Sequence, residues 1–221
     1  MNTASTLPTP RFNMVEQQVR PWEVLDDRVL NLLLKLPRER FVPEAYRGLA
    51  HADTAIPLGH GHAMLEPRLV GRMVQGLDIV PSDRILEIGT GSGYVTACLA
   101  RLGKHVISYE IHGDLAERAR ENLHAAEITN TEIRDGDGLN SAIDEGPFDA
   151  LIVTGSCPTY PEHLEALLKT GGRMMVVVGA DKPMSAYRVT RESDNACARE
   201  SLFETLIAPM ENTRQPSAFI F

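Results

Sequence analysis

The stretch LEIGTGSGY, residues 86–94, decides the fold of this chain. It completes an apolar run, RILEIG, that predicts a buried strand, and it opens YVTACLARL, whose apolar spacing predicts a helix. Glycine lets a ligand approach the backbone closely, and the turn between strand and helix contains Gly89, Gly91 and Gly93. In open α/β sheets ligands bind at the carboxyl ends of the strands, so this turn is a candidate ligand site.

Segments with the patterns of strands and helices alternate around this turn. The further strand-like runs are HVISYE (105–110), TEIRD (131–135), FDALIVT (148–154) and RMMVVVG (173–179). Helical patterns occur in GDLAERARENLHAAE (113–127) and PEHLEALLK (161–169). The alternation predicts an α/β fold, with a mostly parallel sheet covered by helices on both faces. After residue 180, SAYRVTRE and SLFETLIAP lie too close together for a crossover helix, which predicts antiparallel strands.

The composition excludes several classes of protein. The chain has 221 residues and a formal charge of -8. It lacks the cluster of Lys and Arg that sequence-independent binding to nucleic acid requires. Its longest apolar run, around MMVVV (174–178), is too short to cross a bilayer, so no membrane partner is expected. Three cysteines without zinc-ligand spacing, and an N-terminus without a signal-peptide core, predict a reducing, cytoplasmic location.

The glycine turn favours one kind of ligand over two others. The dinucleotide fingerprint needs Gly or Ala three residues after Gly91, where this chain has Tyr94, and no Walker GK[ST] follows. What remains is an acid-x-Gly-x-Gly-x-Gly turn with Glu87 ahead of the glycines. That order suits a nucleoside that carries a positive charge and no phosphates, such as S-adenosylmethionine.

Two acids at the ends of neighbouring strands agree with this ligand. Glu110 ends the second strand, where it is placed to bind both ribose hydroxyls. Asp137 lies in GDG (136–138) after the third strand and is placed to accept a hydrogen bond from the adenine amino group. The helix that starts at Tyr94 would receive the methionine carboxylate through its free N–H groups.

Several motifs between residues 12 and 180 together resemble the protein-L-isoaspartate O-methyltransferases. They are MVEQQVR, RFVPE, IPLGHG, LEIGTGSGY, GDG, PFDALIVT and GGRMMVVVG. The resemblance implies a class I (Rossmann-like) methyltransferase fold with a seven-strand sheet and an N-terminal helical extension. It implies S-adenosylmethionine as cofactor and S-adenosylhomocysteine as product. It also implies a protein or peptide substrate, whose isoaspartyl residues are esterified in a repair reaction.

This resemblance gives the chain a predicted organisation and a predicted site. A loose tail, residues 1–11, precedes a helical extension with a cofactor-covering loop, residues 12–66, and the methyltransferase core, residues 67–221, in one structural domain. No metal is expected. The cofactor-binding residues implied by the motifs are His62, Ala63, Met64, Leu65, Glu87, Gly89, Thr90, Gly91, Ser92, Gly93, Glu110, Ile111, Asp137 and Gly138.

The loop PLGHGHAMLEP (57–67) departs from the family pattern. The family reads Gln-Thr-Ile-Ser-x-Pro where this chain has His62 to Pro67, so the active-site Ser falls on Leu65 and the Thr on Ala63. A lost hydrogen bond to a charged acceptor is worth about 1.5–3 kcal/mol, which predicts slow isoaspartyl methylation. Two alternatives therefore stay open: methylation of another acceptor, a small molecule or other protein group, and a non-catalytic S-adenosylmethionine-binding module.

The candidate catalytic positions are Leu65, Ala63, His60 and His62, and the two histidines have three interpretations. The two histidines could form a metal pair with His51 or Asp53, or act as a general base for a hydroxyl or phenol acceptor. The preferred interpretation is that they are loop histidines bonded to backbone. Cys157, in VTGSCP, is expected to line the pocket as a small apolar side chain rather than to react.

Overall fold

The computed structural model describes residues 9–214. Most of the predicted tail, residues 1–8, and the C-terminal PSAFIF lie outside the described residues. Helix α1 (Pro10–Asn13) begins within the predicted tail, because the Thr9 hydroxyl caps it by accepting the N–H of Phe12. It continues into a π-helical segment (Met14–Val19) and a 3-10 turn (Arg20–Trp22).

The remainder of the N-terminal extension is also helical, as predicted. Asp26 caps helix α2 (Asp27–Lys35), which buries Val29, Leu30 and Leu33 at helical spacing. Two 3-10 helices follow, at Arg38–Arg40 and Glu44–Leu49. The second lies in PEAYRGLA (43–50), whose proline at the start favours a helix, and Pro43 immediately precedes it.

The glycine-rich loop before the core forms a β-hairpin, which the sequence analysis missed. Strands β1 (Ile56–Gly59) and β2 (His62–Met64) pair antiparallel, with His60 and Gly61 as the two turn residues. Their φ angles are 53° and 80°. Positive φ at both central residues is what a type I′ hairpin turn requires, so the Gly in this turn is conformationally necessary.

The core is a sheet of seven strands that follows helix α3 (Pro67–Gly76). The elements, in chain order, are β3 (Arg84–Ile88), α4 (Tyr94–Leu102), β4 (His105–Glu110), α5 (Gly113–Ala125), β5 (Thr131–Asp135), β6 (Phe148–Cys157), β7 (Leu168–Val178), β8 (Met184–Ser193) and β9 (Ala196–Thr205). The strand order is β5-β4-β3-β6-β7-β8-β9, parallel through β7 and antiparallel at β8 and β9. The predicted fold class and the antiparallel ending are confirmed.

Alternate residues of the central strands supply the two faces of the core. In β3, Ile85 belongs to the apolar cluster beneath the helices, whereas Leu86 and Ile88 belong to the cluster on the other face. Because both faces of the strand are buried, its apolar residues do not simply alternate with polar ones.

The second face is covered differently from the prediction. The segment PEHLEALLK, predicted to be helical over 161–169, forms only a 3-10 helix at Glu162–Leu167. Leu168 pairs with Phe148 as the first residue of β7, so tertiary pairing overrides the local helical preference. Between residues 9 and 214, no helix is both long and apolar enough to cross a membrane.

Candidate functional site

A cavity of about 500 Å³ lies at the carboxyl ends of β3, β4 and β6. The chain passes from β3 to β4 on one side of the sheet and returns to β6 on the other, which makes this the topological switch point where ligands bind. The lining includes residues 62–66, 88–92, 109–111, 136–138, 154–155 and 206–211.

The glycine turn has a backbone geometry that favours glycine at three positions. The φ angles of Gly89, Gly91 and Gly93 are 96°, 55° and 81°, all in the region that L side chains rarely adopt. Gly89, Thr90, Gly91 and Ser92 line the cavity, whereas Gly93 precedes the first residue of α4. The turn therefore brings backbone to the cavity wall, and Gly93 shapes the entry into the helix.

Glu110 lies where the sequence predicted, at the end of β4 and in the cavity lining. Its Oε2 accepts the N–H of Gly91 at 2.7 Å, and its Oε1 accepts the N–H of His112 at 3.1 Å. The side chain is 6% exposed. These two backbone donors fix the carboxylate between the glycine turn and the start of α5.

Asp137 also lines the cavity but is engaged in local structure. Its Oδ1 accepts the N–H groups of Leu139 and Asn140, and its Oδ2 accepts hydrogen bonds from the side-chain amides of Asn140 and Asn212. Partial burial raises the pKa of Asp137, but these hydrogen bonds outweigh it and hold the pKa below its ordinary value. The carboxylate thus connects the GDG turn to the C-terminal segment.

Glu87, predicted to bind the cofactor, lies outside the lining of this cavity. Its carboxyl group is fully buried, and its Oε2 accepts hydrogen bonds from Thr96 at 2.5 Å and Ser108 at 2.7 Å. Burial raises the pKa of Glu87 to about 8, which the two hydroxyl donors only partly oppose. Through these hydrogen bonds Glu87 connects β3 to β4 and α4.

The hairpin contributes His62, Ala63, Met64 and Leu65 to the cavity wall, without a hydroxyl group. His60 lies outside the lining, exposed on the turn, where its Nε2 is 3.0 Å from Oδ1 of Asp114. The preferred interpretation of backbone-bonded loop histidines is wrong in both cases, because carboxylates bind both rings. The Nε2 of His62 is 3.0 Å from Oε1 of Glu211.

His51 and Asp53, the residues considered as further ligands of a metal site with His60 and His62, have other partners. Nε2 of His51 lies 3.3 Å from Oε2 of Glu39, and Asp53 forms an ion pair with Arg68 at 2.9 Å.

Cys157, which was expected to line the pocket, is absent from the cavity lining and is buried in the second apolar cluster. Burial raises the pKa of its thiol to about 12, which keeps it protonated.

Residues 206–211 form a C-terminal wall of the cavity that the sequence motifs do not predict. The N–H of Ser156 donates to the carbonyl oxygen of Ala208, and the N–H of Met210 donates to that of Ser156, both at 2.9 Å. This segment therefore pairs in parallel with the end of β6. Its only signal is an apolar run, LIAPM, directly after β9.

Arg38 was also missed as a wall residue. It is fully buried, and its guanidinium donates to the carbonyl oxygens of Ala50 and Leu65, both at 2.9 Å. These bonds fix the backbone of the hairpin exit beside the cavity.

The topology and this cavity place the protein among the class I methyltransferases, which use S-adenosylmethionine. Within that class, the chain belongs to the protein-L-isoaspartate(D-aspartate) O-methyltransferase family, whose model matches residues 11–215. The match continues beyond residue 180, where the recognisable motifs end.

Individual relatives agree with this assignment. The chain is 36% identical to protein-L-isoaspartate O-methyltransferase 1 of Rhodopseudomonas palustris, over 94% of this chain and 85% of that protein. It is 43% identical to the enzyme of the same name from Methanoculleus marisnigri, over 76% and 77% of the two chains. A Plasmodium falciparum protein described as an L-isoaspartate O-methyltransferase, crystallised with S-adenosyl-L-homocysteine, shares the fold with a TM-score of 0.77. That structure is 24% identical and covers 91% of this chain and 98% of its own.

Proposed function

We propose that this protein transfers the methyl group of S-adenosylmethionine to the carboxylate of isoaspartyl residues in damaged proteins. The observation that carries the proposal is the family match over residues 11–215, which includes the cavity wall from the hairpin to the C-terminal segment. A cytoplasmic location and the lack of a nucleic-acid partner stay predictions from composition.

The residues present fit the cofactor. A cavity of about 500 Å³ is in the size range of small-molecule sites. Glu110, held by two backbone N–H groups, presents a carboxylate at the strand end where a ribose would lie. We assign cofactor contacts to the hairpin residues 62–65, the turn residues 89–92, Glu110, Ile111, Asp137 and Gly138, all in the lining. Glu87 and Gly93 are assigned to supporting that turn rather than to contact.

When bound, the sulfonium group supplies an activated methyl whose leaving group is a neutral thioether. A carboxylate with a pKa near ~4 is already ionised at neutral pH, so the acceptor needs no general base. The work of the chain is to orient the acceptor and exclude water, and orientation alone is worth roughly 7–11 kcal/mol. Apolar walls such as Met64, Leu65 and Met210 suit that role.

The hairpin also motivates a second candidate acceptor. Ala63 and Leu65 line the cavity where the family resemblance implies hydroxyl groups, so an isoaspartyl carboxylate would lack two hydrogen-bond partners. A different protein group or a small molecule would then be the preferred acceptor of the same cofactor site. A non-catalytic cofactor-binding module is the third possibility, and it would form no methylated product.

A labelled-methyl transfer assay tests the proposal. The full chain is incubated with labelled S-adenosylmethionine and an isoaspartyl peptide, with the matched aspartyl peptide as control and a cell extract in parallel. Base-labile label on the isoaspartyl peptide alone is expected. Label only in the extract would support another acceptor, and no label anywhere, despite cofactor binding, would support the third possibility.

Calorimetry with S-adenosylhomocysteine tests the cofactor site separately. The wild type is expected to bind, and Glu110→Ala is expected to bind at least about tenfold more weakly, since it loses a charged hydrogen-bond acceptor. Glu117→Ala, on the exposed face of α5, serves as a matched control. Equal affinity of the three proteins would overturn the assignment of Glu110.

A further inference from the structure

Three segments far apart in the chain meet at the rim of the cavity through one carboxylate. His62 begins β2, His112 immediately precedes α5, and Glu211 lies in the C-terminal segment. The Nε2 atoms of His62 and His112 lie 3.0 Å and 2.8 Å from the same oxygen, Oε1 of Glu211. Within residues 9–214 this is the one group of three or more His, Cys, Asp or Glu side chains whose possible metal-binding atoms all lie within 4.8 Å of one another.

We propose that His62, His112 and Glu211 bind a divalent transition-metal ion of the Zn²⁺ class and clamp the rim of the cofactor cavity. Two imidazole nitrogens and one carboxylate oxygen are a donor set that Zn²⁺ takes with a water as fourth ligand. With bonds of about 2.0–2.2 Å, a tetrahedral ion holds its ligand atoms ~3.3 Å apart. The two imidazole nitrogens lie 3.0 Å and 2.8 Å from Oε1 of Glu211 and within 4.8 Å of each other, so their present spacing brackets this value.

The surroundings of the three side chains support this site. The side chains of His112, His62 and Glu211 are 18%, 27% and 39% exposed, so they are held by the fold and still open to an ion from solvent. The ring of His60 stacks on that of His112 with centroids 3.9 Å apart, and Asp114 binds His60 in turn. This stacking restricts the rotation of the His112 imidazole.

The ion would act on the cofactor site because its ligands belong to that site. His62 and Glu211 line the cavity, and the backbone N–H of His112 donates to Oε1 of Glu110. An ion that holds the hairpin, the start of α5 and the C-terminal segment together favours the closed rim. By linkage, the ion and the cofactor then raise each other's affinity by the same factor.

Metal binding is measured first, without cofactor, on the full chain prepared without a histidine tag and freed of metal by chelation. Zn²⁺ is titrated against a chromophoric chelator, and Co²⁺ is used as a spectroscopic probe of four-coordinate geometry. We expect one ion per chain, with affinity at least about tenfold lower in Glu211→Gln and His112→Ala. His124→Ala, which removes an exposed histidine at the other end of α5, is expected to leave the one-to-one site unchanged and is the matched control.

Circular dichroism confirms that each variant is folded. Binding by the wild type no tighter than by Glu211→Gln would overturn the site and leave an ordinary histidine–carboxylate cluster. Equal loss in all variants, His124→Ala included, would also overturn it.

The coupling between metal binding and cofactor binding is measured by calorimetry with S-adenosylhomocysteine, with and without Zn²⁺. Zn²⁺ should tighten cofactor binding in the wild type and not in Glu211→Gln, and an unchanged wild-type affinity would refute the clamp. A chain that binds Zn²⁺ but no cofactor would refute the proposed function and the clamp while the metal site stands.

Discussion

Restoring two hydroxyl groups to the hairpin should raise isoaspartyl methylation. The double variant Ala63→Thr with Leu65→Ser replaces two apolar side chains in the cavity wall. The backbone should stay in place, because Arg38 donates to the carbonyl oxygen of Leu65 at 2.9 Å and Met64 is buried between the two sites. The change is therefore confined to two side chains of the cavity wall.

The expected magnitude follows from the hydrogen bonds that the variant adds. A hydrogen bond to a charged group contributes about 1.5–3 kcal/mol. Each 1.36 kcal/mol in a barrier is about tenfold in rate, so recovering one such bond predicts an increase of at least roughly tenfold. Leu65 is only partly buried against the core, so its replacement should cost less than the ~1.5–3 kcal/mol of a fully buried leucine.

The assay is initial-rate methylation of an isoaspartyl peptide, with thermal unfolding as a check on stability. The matched control is Ala63→Val with Leu65→Ala, which has nearly the same shape as the test variant but no hydroxyl groups. If the control gains as much as the test variant, relief of bulk is the cause and the hydrogen-bond argument fails. If the wild type is already fast and the hydroxyl variant slower, the apolar hairpin is a working form of the acceptor site.

Two further predictions concern titrating groups. Glu87 has its pKa raised from 4.5 to about 8, so over that interval the folded chain holds a proton that the unfolded chain releases, and stability falls by about 1.4 kcal/mol per pH unit. Urea unfolding should therefore show Glu87→Gln gaining stability relative to wild type between pH 5 and 8, and parallel profiles would contradict this. Because a carboxylate acceptor needs no base, the pH dependence of the methylation rate, measured with chelator present, should be the same in wild type, His60→Ala and His62→Ala. A pH dependence that either substitution removes would instead indicate a hydroxyl or phenol acceptor.

The local patterns of the chain determined the sheet and the centre of the site. Apolar strands alternating with helical segments predicted the parallel sheet, and alternate glycines after β3 predicted a turn at a ligand site, where the cavity lies. The position of Glu110 at a strand end also predicted its place in the cavity wall. These features follow from residues within one strand and turn, where backbone geometry is set locally.

Strand periodicity bears on Glu87 as well. Side chains alternate across a sheet, so Glu87 shares the face of Ile85 beneath α4. Its position before the glycines predicts a cofactor contact, whereas its carboxyl group accepts hydrogen bonds from Thr96 and Ser108 outside the cavity lining.

Only the tertiary structure decided the rim of the cavity. His62 and His112 meet Glu211 across 149 and 99 residues of sequence, and the segment 206–211 adds to β6 although it follows β9. The same holds for the 3-10 helix at Glu162–Leu167, which is shortened because Leu168 pairs with Phe148. Contacts of this kind depend on how distant segments pack, and no local periodicity or turn preference encodes that packing.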